Sequence, residues 1–471
     1  MAIVYPQAWI VVKLLLDDLG QAEASKPVPF QGPPISFKVD RNSFEEADSF
    51  EVAFDFEDFP FDPRVIRGGT VEIYLANAEG VQPGFFELQT PLALREEFAI
   101  FAGVIDEAKT VFDDEARRTE VKGRDYTAYF LDAEAEAGAI AYREGGVNFS
   151  LPEILDKLIA QRPTTKAITV DARDGAELVF PADYMGISKD KPNGARRKRQ
   201  GENIWEIVQE LALNAGYVVY VDLDQVVVRK PSTIYEGFID PTRVLHWTLG
   251  RDVLSYTPSR ELGRRHGIQV QVASWDRAKG KTLIAFAADG PKGTIAGPTK
   301  ESVFIAPTRQ VAAAEVGKDA PEPAPPKEPT VRGYVIRGVT DQAQLETVAK
   351  QLHETLRHYE LVGTLKTAAM VDSEGVAVQR IRYGDPILVD VDADLLSSLA
   401  EQPGAEIRRL AQLGWKKADA KKLFEASTRL ATPLYVDRAT YTFDTSDDTG
   451  FSLEIAVRSR RQVELKEGTI L

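Results

Sequence analysis

The chain has 471 residues, and 44% of them are hydrophobic. A chain of this length is too long for one compact unit, so three or four domains are expected. Its formal net charge of −15 at pH 7 argues against sequence-independent binding to nucleic-acid phosphates, which requires clustered cations. There is no cysteine, which excludes disulfides, thiolate nucleophiles and cysteine-ligated metal ions.

The first 131 residues show the alternating pattern of antiparallel strands. An apolar run at 8–16 is interrupted by Lys13 and is too short to span a bilayer, so no membrane anchor is expected. Residues 50–56 place four apolar side chains on one face of a strand, and 71–75 repeat the pattern. A short strand at 120–122 is predicted to run into a polar turn at 123–125. This segment is predicted to form an antiparallel barrel.

Residues 132–233 combine helical and strand signals. Ser150 and Glu153 form a capping box before an apolar helical stripe, and Asn203 with Glu206 begins a second helix that ends at Gly216. A hairpin follows, with strands at 217–221 and 225–228 joined by a turn at 222–224. The segment is therefore predicted to be a small α/β module.

Residues 234–471 are predicted to be a second β domain with two interruptions. The stretch 312–329 is rich in proline, which indicates an exposed, semi-rigid loop, and 393–431 is typical of a helical insertion. Asp341 with Gln344 begins a long helix predicted to end near Gly363. Alternating strands are predicted around 268–272, 387–391, 441–443 and 451–457. The overall fold class is α+β and rich in β structure.

Several segments carry a resemblance to a known family. They are Ala47–Val52 followed by Gly69–Tyr74, Val121–Thr127 leading into Leu131 and Asp132, Glu202–Val221, and more loosely Gly333 through the helix at 341–361, Tyr383–Pro386 and Thr449–Phe451. In this order and spacing they resemble the baseplate hubs of contractile tails: phage late-control protein D, the Mu-type hubs and the N-terminal part of type VI secretion spike proteins.

The resemblance implies two tube-like antiparallel β-barrel domains flanking the small α/β module. Three copies would form a ring of six similar barrels, on which a six-fold tail tube stacks on one side and a three-fold spike docks on the other. The implied partners are two further copies of the chain, a separate spike chain and a tail tube or tube-initiator protein, with a tape-measure protein and the baseplate wedge as further candidates. The implied location is the baseplate of a virion or tail-like particle, assembled in the bacterial cytoplasm.

No catalytic residue, metal ion or cofactor is predicted. The acidic groups at 55–58 and 113–115 could be paired glycosidase carboxylates, but carboxylates on strand faces and turns usually only solvate a surface. The four histidines do not share a face in a way that would make a zinc site. The alternatives to a structural hub are a particle-associated cell-wall hydrolase and a carbohydrate-binding β module.

One basic run stands out in the acidic chain: Arg196, Arg197, Lys198 and Arg199. It is either a contact for an acidic partner or passing nucleic acid, or a solvated loop before the helix that begins at Asn203.

Overall fold

The structure, a computed structural model, describes the β-rich parts of the chain. The described residues are 6–16, 27–42, 46–59, 61–77, 98–112, 117–132, 143–144, 147–148, 150, 152–153, 155–156, 168–171, 203, 205–206, 208–209, 212, 217–229, 244–260, 268–276, 279–288, 330–335, 341–356, 361–373, 375–391, 434–446 and 450–459. The proline-rich stretch 312–329, the predicted helical insertion 393–431 and the basic run at 196–199 lie outside them.

The chain is β-rich α+β, as predicted, and divides into two compact units. The first comprises Met1–Arg260 and Tyr359–Leu471, and the second comprises Glu261–His358. The second unit is inserted between two strands that pair with each other in the first unit, where Arg260 lies opposite Leu361. These inserted residues lie within 234–471, the segment that the sequence predicts to be the second β domain. The domain boundaries at 131 and 233 stay predictions.

The first lobe is the part of the first unit built from seven strands and one short helix. These are β1 (Pro6–Leu16), β2 (Val28–Gly32), β3 (Ser36–Arg41), β4 (Ser49–Asp55), β5 (Ile66–Asn77), β6 (Ala99–Phe112), β7 (Arg117–Asp125) and α1 (Ala128–Leu131). They pair in the order β3-β4-β7-β6-β5-β1-β2. The alternation predicted at 71–75 is confirmed, because Val71, Ile73 and Leu75 are all buried. The sheet curls until the ring of Phe30 on β2 lies 5.3 Å from that of Phe54 on β4.

Six later strands of the first unit close into a ring. They are β13 (Leu245–Leu249), β14 (Val253–Arg260), β18 (Leu361–Thr367), β19 (Pro386–Val391), β20 (Leu434–Asp444) and β21 (Phe451–Ser459). Their order is β19-β13-β14-β18-β21-β20, and β20 pairs back with β19. The predicted strand at 451–457 is confirmed, with Phe451, Leu453, Ile455 and Val457 buried. Each such side chain contributes about 1.5–3 kcal/mol by its burial.

Strand β20 joins the ring to the first lobe. Its first residues, Leu434 and Tyr435, pair with β19, whereas residues from Ala439 to Asp444 pair with β3. The first lobe and the ring therefore share one continuous 13-stranded sheet and one hydrophobic core.

The α/β module packs on the outer face of β6. It contains β8 (Arg143–Glu144), β9 (Val147–Asn148), β10 (Thr169–Asp171), β11 (Val218–Asp222) and β12 (Gln225–Arg229), with β10 parallel to β12. Ala102 and Val104 of β6 share a core with the module's buried Trp205 and Val208. Both predicted helix starts are confirmed by hydrogen bonds: Glu153 N–H donates to Ser150 Oγ at 3.4 Å, and Glu206 N–H donates to Asn203 Oδ1 at 2.7 Å.

The second compact unit is a three-stranded sheet with one helix. Its elements are β15 (Ile268–Asp276), β16 (Lys281–Ala288), β17 (Thr330–Val335) and α2 (Gln342–Leu356), and the strand order is β16-β15-β17. Leu345, Val348 and Leu352 of α2 are buried, which confirms that the predicted long helix packs one apolar face. On the strands, Trp275 and Val335 are exposed.

Two predictions from the sequence are wrong, one at the end of β7 and one at the end of the long helix before β18. Gly123, Arg124 and Asp125 are not a turn; they form the end of β7. Close strand pairing needs glycine at position 123, because a Cβ there would meet Val104 O at 1.9 Å. The long helix ends at Leu356, not near Gly363. Gly363 lies within β18, opposite Pro258 and Val457, so here it marks a strand rather than a helix end.

Candidate functional site at a buried ionic junction

The ends of several strands meet where the first lobe, the α/β module and the ring come together. Arg41 is the last residue of β3, Asp125 the last of β7 and Asp222 the last of β11. Asp48 directly precedes β4, and Arg382 lies in the loop before β19. We call this group of charged side chains the junction.

Arg41 contacts all three parts at once. Its Nη2 donates to Asp222 Oδ1 of the module at 2.5 Å, and its Nη1 donates to the carbonyl oxygen of Ile381 in the ring at 3.3 Å. Its Nε lies 3.7 Å from Asp48 Oδ2 in the first lobe. The Arg41 side chain is only 10% exposed. One rigid guanidinium fork therefore fixes three segments that are far apart in sequence.

A second arginine completes the pairing of Asp222. Arg382 Nε donates to Asp222 Oδ2 at 2.8 Å, and its Nη1 donates to the carbonyl oxygen of Gln379 at 2.7 Å. The backbone N–H of Arg382 donates to Asp385 Oδ2 at 2.6 Å, which holds the loop in shape. Both oxygens of Asp222 thus accept a charge-assisted hydrogen bond from a separate arginine.

Two further carboxylates lie beside Arg41. The backbone N–H of Asp48 donates to Asp125 Oδ2 at 3.2 Å, and the N–H of Asp125 donates to the carbonyl oxygen of Asp48 at 3.0 Å. Asp48 Oδ1 accepts from the N–H of Asn42 at 2.7 Å, and Asp125 Oδ1 accepts from the N–H of Thr127 at 3.0 Å. The pair is held by backbone groups, and Arg41 is the cation closest to Asp48.

Burial and neighbouring charges shift the pKa values of these groups in opposite directions. Burial raises the pKa of Asp125 to about 6, against hydrogen bonds from Thr127 and Asp48. Burial and the charge of Asp125 hold the pKa of Asp48 well above its usual range. For Asp222 burial acts the same way, but Arg382 and Arg41 outweigh it and lower its pKa. Asp222 is therefore ionised at neutral pH, whereas the Asp48–Asp125 pair resists full ionisation.

The loop that carries Arg382 is fitted to β20 by backbone bonds. Gly384 has φ +83°, a left-handed conformation that favours glycine, and its N–H donates to the carbonyl oxygen of Val436 at 2.9 Å. The N–H of Val436 returns a bond of 2.9 Å to the carbonyl oxygen of Asp385. The buried hydroxyl of Tyr441 donates to the carbonyl oxygen of Val378 at 2.9 Å. These bonds place the guanidinium of Arg382 in reach of Asp222.

Four of the segments that carry the family resemblance reach or adjoin this junction. Asp48 belongs to the first segment and Asp125 to the second, and Asp222 follows the last residue of the third. Asp385 belongs to the looser match at 383–386. Sequence reasoning assigned no role to Arg41, Asp222 or Arg382. Their positions at strand ends were the only signal, and it does not reveal partners far away in sequence.

The junction encloses a cavity of only about 30 Å³, lined by Asp48, Asp125, Trp205 and Arg382 among others. That is room for about one water molecule and not for a substrate. The arrangement is suited to holding three parts of a protein together.

The structure describes only some of the other candidates from the sequence. Asp55, Glu57 and Asp58 lie at an exposed turn, where Asp55 Oδ1 accepts from the N–H of Glu57 at 2.9 Å, and 113–115 lie outside the described residues. His246 is on β13 of the first unit and His353 on α2 of the second, and the other two histidines are not described. Within the described residues, no group of three or more histidine or carboxylate side chains could hold a metal ion. No helix in the described part of the chain is long and apolar enough to cross a membrane.

The comparisons with known proteins place the fold. No protein-family model and no curated protein sequence matches the chain. The crystal structure of the 43 kDa tail protein of prophage MuSo2 from Shewanella oneidensis is 14% identical, with a TM-score of 0.53 over 97% of this chain and 99% of that one. The tail protein from Neisseria meningitidis MC58 is 12% identical, with a TM-score of 0.50 over 96% of each chain. This chain therefore has the fold of these tail proteins over nearly its whole length.

Proposed function

We propose that the protein is a structural component of a contractile tail or tail-like injection particle, and more specifically the baseplate hub that joins a six-fold tail tube to a three-fold spike. The observation that carries the proposal is the shared fold with two tail proteins over 96–97% of this chain. The order of the resemblance segments adds support, since four of them reach or adjoin one junction.

The architecture of the first unit suits such a role. A curled seven-stranded lobe and a closed six-stranded ring share one sheet through β20, which offers two β surfaces from one subunit. Three copies would then present six such surfaces, and this is how a three-fold protein can meet a six-fold tube. The buried junction would hold the lobes in a fixed relation while the particle transmits force.

The proposed role is not enzymatic, and the proposed partners follow from it. They are two further copies of the chain, a separate spike chain and a tail tube or tube-initiator protein, with a tape-measure protein and the baseplate wedge as additional neighbours. The protein would reside in the baseplate of a virion or tail-like particle after assembly in the bacterial cytoplasm.

Electron microscopy of the purified protein and of particles tests the hub directly. The expected result is a three-fold ring, together with a trimer mass in light scattering. A monomer that persists at high concentration and is missing from particles would overturn the proposal. A clear zone on a peptidoglycan gel would instead support the hydrolase alternative.

The basic run at 196–199 is proposed as a contact with an acidic partner. Replacing all four residues with Ser should weaken partner binding more at low salt than at high salt, because exposed charges are screened. A matched control replaces four exposed cations elsewhere with Ser: Arg64, Arg251, Lys281 and Arg332. If both quadruple variants bind the partner equally well at low salt, the basic run is not part of the interface.

A further inference from the structure

The junction contains more carboxylates than cations. Two arginines, Arg41 and Arg382, face four aspartates: Asp48, Asp125, Asp222 and Asp385. Asp222 takes the closest bonds from both arginines, and Asp385 accepts the backbone N–H of Arg382. Asp48 accepts the backbone N–H of Asn42 and has only the distant Nε of Arg41 as a cation, and Asp125 has backbone and hydroxyl donors. Full ionisation would leave the buried group with an excess of two negative charges.

We propose that the Asp48–Asp125 pair is a proton-dependent latch, which holds the first lobe, the α/β module and the ring together when the pair carries a proton and loosens them when both carboxylates are ionised. The inference rests on the geometry of the junction and is independent of the proposed function.

Competition for Arg41 is the physical basis of the latch. With a proton on the pair, the guanidinium of Arg41 is free to bind Asp222 and the carbonyl oxygen of Ile381. When both carboxylates of the pair are charged, they attract the same guanidinium from the opposite side, where Asp48 Oδ2 already lies 3.7 Å from Nε. The bond that crosses from the first lobe to the module is then weakened.

The surrounding groups do not supply a replacement cation. The titratable or charged groups that face the pair or line the cavity beside it are Arg41, Glu46, Tyr220, Asp222, Arg382, Tyr383, Asp385, Asp437, Arg438 and Tyr441. Arg438 is a third cation at this cavity, but its side chain is 50% exposed and its Nη2 pairs with Asp40 Oδ1 at 3.0 Å. Tyr220 and Tyr441 have pKa values raised by burial, so they remain neutral. Arg41 and Arg382 are already bound to Asp222.

The sign of the pH dependence follows from these shifts. A carboxyl group whose pKa is higher in the closed form than in the open one stabilises the closed form at low pH, and this is lost as pH rises through the higher value. For Asp125 the higher value is about 6, against roughly 4 for an exposed aspartate. The closed form should therefore weaken by about fifty-fold between pH 4 and pH 7. The pKa of Asp222 is lowered rather than raised, so its contribution to the closed form is lost as the pH falls, and this limits the stabilisation of the closed form below about pH 4.

Hydrogen exchange of the full-length protein tests the latch. The measured quantity is the opening equilibrium of the amides in β11 and β12, corrected for the intrinsic effect of pH on exchange. Asp125→Asn and Asp48→Asn each remove one titrating group. Glu120→Gln is the matched control, because Glu120 is a buried carboxylate on the same strand as Asp125 but its pKa is lowered by Lys109 and Arg118. The chain has five tryptophans, so the Trp205 signal, taken as the difference in fluorescence between the wild type and Trp205→Phe, provides a second readout at the junction cavity.

The expected result is that opening in the wild type increases between pH 5 and pH 7.5, with a midpoint near pH 6 that the Trp205 signal reproduces. The slope with pH, and not the baseline, is compared between variants, because an Asn amide cannot accept both bonds that Asp125 accepts. Both Asn variants should flatten the slope and Glu120→Gln should preserve it. A flat or opposite slope in the wild type, or an unchanged slope in both Asn variants, would overturn the proposal. If neither variant folds, the wild-type slope and midpoint alone decide.

Discussion

Replacing Asp222 with Asn removes one negative charge from the junction while it keeps the shape of the side chain. Arg41 loses the carboxylate that accepts its 2.5 Å bond, and Arg382 loses the one that accepts its 2.8 Å bond. An Asn oxygen can still accept one of these bonds, but its amide group faces the other arginine as a second donor. Arg41, with a side chain only 10% exposed, cannot recover its hydration.

The expected cost is about 3 kcal/mol of unfolding free energy. Removing one partner of a buried ion pair typically costs about 3–5 kcal/mol, because the other charge stays buried without compensation. The Asp222 side chain is 23% exposed, so water offsets part of this loss and places the value at the lower end. A double variant, Asp222→Asn with Arg382→Ala, should cost less than the sum of the single changes, since both act on the same interaction.

Urea unfolding followed by tryptophan fluorescence measures this difference. Asp132→Asn is the matched control: it removes the same charge from an aspartate whose Oδ2 lies 2.9 Å from Arg124 Nη2 but whose side chain is 65% exposed. An exposed pair of this kind contributes about 0–1 kcal/mol. If Asp222→Asn costs no more than Asp132→Asn, the junction does not hold the lobes together and the reasoning from burial fails.

Three further changes probe the packing of the two units. Gly123→Ala places a Cβ 1.9 Å from a carbonyl oxygen on the neighbouring strand and should cost more than about 2 kcal/mol in urea unfolding, whereas Gly333→Ala, with open space around the new Cβ, should be close to neutral. Tyr441→Phe removes the 2.9 Å bond to the carbonyl oxygen of Val378, which still accepts from the N–H of Ile381 at 3.2 Å, so it should cost about 0.5–1.5 kcal/mol, while Tyr→Phe at an exposed site would not. Leu345→Ala should destabilise the second unit by about 2–5 kcal/mol, and hydrogen exchange should increase in β15 and β16 but not in β21; equal increases in all three would contradict the division into two units.

The strands and helix starts were the most predictable features, because their signals are local. Alternation at 71–75 and 451–457 reflects the period of two in a half-buried strand, and it translated directly into buried and exposed faces. The caps at Ser150 and Asn203 depend on groups three residues away, so the sequence contains both partners of each bond.

Glycine caused both of the wrong assignments. A glycine after a polar or helical segment favours a turn or a helix end, and this was the basis for the predictions at Gly123 and Gly363. In the structure each lies inside a strand at a close approach to a neighbouring backbone. The same residue type serves both purposes, and only the partner strand, which is distant in sequence, distinguishes them.

The junction could not be predicted residue by residue, because its strongest bond joins positions 181 apart in sequence and its second arginine is 160 residues from Asp222. Nothing near Arg41 in sequence distinguishes it from a solvated cation. The resemblance segments nevertheless include or adjoin several junction residues, namely Asp48, Asp125, Asp222 and Asp385. Several of the junction residues lie at strand boundaries within or next to these segments: Asp48 directly precedes β4, Asp125 ends β7 and Asp222 ends β11. Strand boundaries of the first lobe and the ring can meet here because one sheet passes between them through β20. A buried ionic contact between the lobe and the ring is therefore expected to appear in the sequence as several short polar motifs in a fixed order near strand ends. Each motif alone is too common to indicate a function.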